Sequence, residues 1–224
     1  AGHEAARCFE RAAPLAHVKH PPLLQASLHY DAGRAYLLMS SYAAAKQAFE
    51  LALRLWGEHL PLSKWSQLRA TLQEALRQLA HRRLEGLWRK RRRAAPQHAA
   101  SLASAYELLV QVYFYSEQPL PALHAALRTL NLSEQYGMVS GAARGSALVS
   151  GMLGLLPWFN ASRAYARRAL SHAEQLTDGP DRLWTWLVVA VGAAGRGEWT
   201  LSNDLLARCQ SLAERFGDHI RWMD

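Results

Sequence analysis

Between Arg82 and Arg93 the chain carries seven cations (Arg82, Arg83, Arg89, Lys90, Arg91, Arg92 and Arg93) and one acid, Glu85. Such a run could hold phosphate or carboxylate groups, and neutralising phosphates is what gives nucleic-acid binding most of its affinity. The segment is net +6 within a chain of net +8, so all other residues share +2. A face built for nucleic acid would be basic more widely and would interleave stacking aromatics, of which Trp88 is the one nearby example. The run therefore reads first as a solvated cationic turn ending at Ala94-Ala95-Pro96, with an acidic partner surface and then nucleic acid as alternatives. Cations that follow a helix also complement its C-terminal partial negative charge, worth ~0.3–1 kcal/mol.

Ten histidines raise the question of metal. His17 and His20 lie three apart, but they adjoin Pro21-Pro22 and have no acid or cysteine close by to complete a set. No HExxH and no paired-cysteine motif occurs, and Cys8 and Cys209 sit near opposite ends without redox spacing. Unpaired cysteines of this kind point to a reducing, cytoplasmic compartment. A glycine-rich phosphate loop and a Gly-x-Ser-x-Gly elbow are also missing from the sequence. The expectation is no catalytic residue, no metal and no cofactor, hence no enzyme within these residues. No signal peptide is visible. The apolar stretch Leu183 to Gly195 falls short of the ~20 residues of a bilayer span and reads as buried helix, so no membrane partner is expected.

Any site must be positioned by what surrounds it, and here the dominant signal is a repeat. Ala45, Phe49 and Ala52 stand four and three residues apart, as do Ala5, Phe9 and Ala12. That spacing puts all three side chains on one stripe of a helix, with small residues that let a neighbouring helix close in around the ring. The figure returns at Ala122, Ala126, Thr129, at Ser162, Ala166, Ala169, and at Ser202, Leu206, Cys209. Its starting positions are 5, 45, 122, 162 and 202, which gives three intervals of 40 and one of 77. A second helical run precedes each stripe, for example QASLHYDAGRAYLL before Ala45 and AYELLVQVYFY before Ala122. Prolines and glycines punctuate the runs, among them Pro21-Pro22, Gly57, Pro119, Gly137, Pro157 and Gly197. Nothing alternates with period two, so strands are not expected.

Gly33-x-x-Tyr36 followed by Ala45-x3-Phe49-x2-Ala52 resembles the tetratricopeptide repeat. The 40-residue period, and endings such as NLSEQYGM and SLAERFGD, are similar to the long repeats of sensor arms of the maltose-activator type. HAALRTLNLSEQYG after VYFY, with the earlier LRQLAHRRL, also resembles the C-terminal sensor region of large bacterial signalling ATPases, some of them linked to nucleotide cyclases. The resemblance implies an all-α, right-handed superhelical solenoid of antiparallel helix pairs, about ten helices in all. It implies a single domain over 1–224: a half repeat at 1–20, repeats at 21–60, 97–138, 139–178 and 179–217, and the start of a further helix at 218–224. Residues 61–96 would form an irregular repeat, because the cations at 89–93 occupy the slot of its second helix. Within 63–87, Trp65, Leu68, Leu72, Leu76, Leu79 and Leu84 keep helical spacing. The chain begins at Ala1 within a helical pattern and is expected to be a piece of a longer protein.

The resemblance also implies where a partner would lie, because first helices line a concave groove in such arrays. The groove positions are Tyr30, Arg34, Leu37, Glu107, Gln111, Phe114, Tyr115, Arg144, Trp184 and Leu187, while Trp186 and Trp199 match core positions. The expected function is a protein-interaction or sensor-scaffold module that binds a protein, a peptide or other domains of its parent. Ends left bare, at Ala5, Phe9 and Leu15, could pair in a homodimer.

Overall fold

The computed structural model describes residues 22–61, 63–83, 98–177 and 179–216, with Glu4, Cys8, Phe9, Arg11 and Ala12 before them. Among these residues there are nine helices and no strand. They are α1 (Pro22–Leu38), α2 (Tyr42–Leu55), α3 (Lys64–Arg83), α4 (Ala99–Tyr115), α5 (Pro119–Tyr136), α6 (Val139–Leu155), α7 (Phe159–Ala173), α8 (Gly179–Gly195) and α9 (Trp199–Phe216). The count is nine where the sequence suggested about ten. Of the residues expected on a bare edge, Phe9 is half-buried, and Ala5 and Leu15 lie outside the described residues. The chain forms two compact units whose division falls inside α5, between Arg128 and Thr129.

Consecutive helices pack as neighbours: α1 on α2 in the first unit, α6 on α7 and α8 on α9 in the second. The turn within each of these pairs has one construction. The N–H of Ser41 donates to the carbonyl of Tyr36, Trp158 to Leu153 and Glu198 to Ala193, each at 2.9–3.0 Å, and Gln118 to Tyr113 at 2.8 Å between α4 and α5. This six-to-one bond satisfies a carbonyl that a helix end leaves orphaned. It requires a left-handed residue just before the donor, supplied by Gly197 (φ 76°) but also by Ser40 and Glu117 (φ 55° each). Donors 118, 158 and 198 stand 40 apart, so the beat of the stripes is also the beat of the turns.

The small-residue stripes form the core. Ala45, Phe49 and Ala52 are fully buried, and so are Ala122, Ala126, Thr129, Ser162 and Ala169, with Ala166 nearly so. Two glycines mark close approaches, one of backbone to backbone and one of backbone to a ring. A β-carbon on Gly145 would fall 2.8 Å from Leu130 Cα, and one on Gly33 would fall 2.6 Å from the Phe49 ring. In the second unit Ala147, Ala166, Ala169, Val189, Ala190 and Leu205 share one cluster, and the alanines keep its helices close.

Two expectations are corrected. In α9 the buried stripe is Ser202, Leu205, Cys209, Ala213, whereas Leu206 is 42% exposed. Steps of three and four both keep a stripe, and the helix takes the three. Trp199 is 64% exposed and not core, because it opens α9 where no preceding turn covers it. Trp186 is half-buried against the core clusters.

Candidate functional site

In the first unit the expected groove residues divide by burial. Tyr30 is half-buried: its ring lies 6.0 Å from Phe49 and 5.9 Å from Trp56, and its hydroxyl hydrogen-bonds Ser104 Oγ at 2.8 Å. Glu107 is buried, at 3% exposure, which keeps it from a ligand on the surface. Leu37 and Gln111 are half-buried. Arg34 is exposed, with its guanidinium 5.9 Å from the Tyr30 ring centre and 3.8 Å from Asp31.

Phe114 and Tyr115 are the outward pair, 51% and 59% exposed at the end of α4. Tyr115 stacks on Tyr42 of α2 at 5.0 Å and 22°, and Phe114 meets Tyr115 edge-on at 5.5 Å. Two exposed rings backed by the half-buried Tyr42 form an apolar patch with phenolic edges. Such surface carries binding energy at little conformational cost.

In the second unit the structure brings two of the expected residues together. The Arg144 guanidinium lies 4.7 Å from the Trp184 ring centre and is held at 3.0 Å by Asp181, which also accepts from Ser140 Oγ. Asp181 carried no signal in the sequence, being 37 positions from Arg144. Leu187 is half-buried beside Leu183, Cys209 and Ala213, and it lines an open groove of about 420 Å³ along α8 and α9. Burial pushes the Cys209 thiol up to about 11, so it stays protonated, at 3.6 Å from the Leu183 carbonyl.

The basic segment lies partly outside the described residues. Arg82 and Arg83 are exposed in the last turn of α3, while Arg89, Lys90, Arg91, Arg92 and Arg93 lie outside them. His17 and His20 also lie outside them.

A polar network in the first unit escaped the sequence entirely. Arg128 Nη2 donates to Glu58 at 2.8 and 2.9 Å, and Arg128 Nη1 reaches Glu74 at 3.5 Å. The Tyr106 hydroxyl donates to the same Glu58 at 2.8 Å, and the guanidinium sits 5.9 Å from the Tyr106 ring. The partners are 48 to 70 residues apart, beyond any motif spacing. Beside them is a cavity of about 40 Å³ lined by Lys46, Glu50, Tyr106, Tyr113, Gln118 and His124 among others. It is large enough for a few waters and too small for a metabolite. Burial, reinforced by Glu58, raises the Tyr106 pKa, and burial with Glu50 raises that of Tyr113, so both stay protonated. The carboxylates are matched by guanidinium and phenol donors, an arrangement suited to fixing helices and not to activating a nucleophile. Among the described residues no group of three or more His, Cys, Asp or Glu could hold a metal ion.

His124 gives this network a pH dependence. Burial lowers its pKa; the Glu74 and Glu58 carboxylates oppose that, and Arg128 adds to it. An unfolded histidine protonates near about pH 6.5, so below that pH the unfolded chain takes up a proton that the folded chain resists. The stability that His124 contributes is complete above about pH 6.5 and declines as pH falls below it. The melting temperature followed by circular dichroism should drop from pH 7 to pH 5, and His124→Gln should remove part of that slope. An unchanged slope in the variant would contradict the assignment.

Among the described residues no helix is long and apolar enough to cross a membrane. No protein-family model matches the sequence, and no curated protein matches it. The class the fold defines is an all-helical protein whose helices pack as neighbours in a repeat-like arrangement, compatible with a tetratricopeptide-like array.

Proposed function

We propose that this chain is a protein-interaction module, a long-repeat tetratricopeptide-like array whose helix pairs wind as a right-handed superhelix. It serves as the sensor-scaffold part of a multidomain cytoplasmic signalling ATPase and holds a protein or peptide against its first helices. The observation that carries this reading is the exposed pair Phe114 and Tyr115, with Tyr115 stacked on the half-buried Tyr42. Arg144 over Trp184 offers a second aromatic-cationic surface of the kind peptides use.

The test is selection of binders from a phage-displayed peptide library, with affinities of the selected peptides read by fluorescence anisotropy. Enriched peptides should carry apolar or aromatic anchors. Their affinity should fall at least tenfold on Phe114→Ser with Tyr115→Ser, while the far-ultraviolet spectrum and melting temperature hold. Failure to enrich any peptide, or equal binding by the variant, would remove this patch from the function.

A further inference from the structure

Helix α3 is inside out. Its buried residues are polar (Thr71, Glu74, Gln78 and His81, each 7% exposed or less), while Trp65 is 81% exposed and Leu68, Leu72, Leu76 and Leu79 are 49–58% exposed. At 100° per residue the five apolar side chains fall within an arc of about 80°, and the buried four centre about 140° away from it. The polar network explains the choice of face. Glu74 lies 3.5 Å from Arg128 and 3.2 Å from Arg77, so turning the leucines inward would pull its carboxylate out of a buried ion pair.

We propose that this apolar stripe is the docking seam for an amphipathic, acidic helix of a partner protein. Trp65 and Leu79 stand fourteen positions apart in four steps, an average of 3.5, which is the period two helices use when they pack along a shared seam. A stripe this narrow suits a helix better than a bilayer surface, since a helix resting on a broad apolar phase carries an arc of 100° or more. Charge identifies the partner. Glu74 is the one acid on α3 and is buried with Arg77 beside it, whereas Lys64, Arg69, Arg82 and Arg83 are exposed and lie within about 80° of the centre of the stripe at 100° per residue. A second copy of α3 would set cations against cations, while Asp and Glu flanking an apolar seam would complement them. The stripe spans about 21 Å at 1.5 Å per residue, room for a partner helix of four turns.

The probe is a fluorescein-labelled peptide of three heptads, with Leu at the seam positions and Glu beside them, compared with the same peptide carrying Lys in place of Glu. Titrated with the full chain and read by anisotropy, the Glu peptide should bind at least tenfold more tightly than the Lys peptide. Leu72→Glu with Leu76→Glu should weaken the Glu peptide at least tenfold without changing the melt, because both positions face solvent. Lys64→Glu with Arg69→Glu should reverse the preference between the peptides. Binding should survive Phe114→Ser with Tyr115→Ser, which separates this surface from the aromatic patch. The proposal is overturned by equal or undetectable binding of the two peptides. It is also overturned if vesicles of phosphatidylglycerol and phosphatidylcholine displace the Glu peptide, or if sedimentation shows a dimer that Leu72→Glu with Leu76→Glu dissolves.

Discussion

Arg128→Met is expected to cost the first unit about 3–5 kcal/mol, because it removes the cation paired with the largely buried Glu58 and one of the two cations beside Glu74. Arg128 and Glu58 are each 17% exposed at the side chain and Glu74 9%, so water cannot take over the lost contacts without local opening. Tyr106 would then face Glu58 without the cation that balances it. The Arg128 pKa, which burial alone would lower, is raised by the hydrogen bonds and charge of Glu58 and then by Glu74, a sign that pairing outweighs desolvation here. Adding Glu58→Gln and Glu74→Gln to Arg128→Met should recover much of the loss, since the penalty comes from unmatched charge and not from missing attraction. Urea unfolding followed by circular dichroism measures both. A cost below about 1 kcal/mol for Arg128→Met would place the network with ordinary surface pairs.

Phe49→Ala should cost about 3–5 kcal/mol as well, by a different route. The ring is fully buried, lies 6.0 Å from Tyr30, and stands over Gly33 where no β-carbon fits. Gly33→Ala alone should cost about 1–3 kcal/mol, although alanine ordinarily favours a helix over glycine. The two changes together should cost less than their sum by about 0.5–3 kcal/mol, because removing the ring makes room for the methyl group. Additive losses would mean that Gly33 and Phe49 do not meet.

The stripes were legible because a helix converts spacing directly into a face. Ala45, Phe49 and Ala52 needed no partner to be identified as one side of α2, and the 40-residue beat predicted where the next helices would turn. Left-handed turn residues were legible where they are glycine, at Gly57, Gly137 and Gly197, and hidden at Ser40 and Glu117. The direction in which α3 faces was not legible. Its leucines announce a helix, but the burial of the opposite side is decided by Glu58 and Arg128, far away in sequence. The sequence marks Arg144 and Trp184 as separate groove positions, and Asp181, 37 positions from Arg144, holds the guanidinium that lies over the Trp184 ring. Leu205 in place of Leu206 is a choice between two steps that the same stripe allows.

One physical statement underlies the account: buried polar bonds fix helices in an orientation that leaves apolar side chains exposed. Helix α3 states it most sharply, and alkylation of single cysteines along it is the most direct check. In a Cys8→Ser background, where the buried Cys209 reacts slowly, cysteines placed at Leu72 and Leu76 should react with iodoacetamide at least tenfold faster than cysteines placed at Thr71 and Gln78. Protection at 72 and 76 with rapid reaction at 71 and 78 would mean that α3 buries its leucines after all, and that the outward seam does not exist.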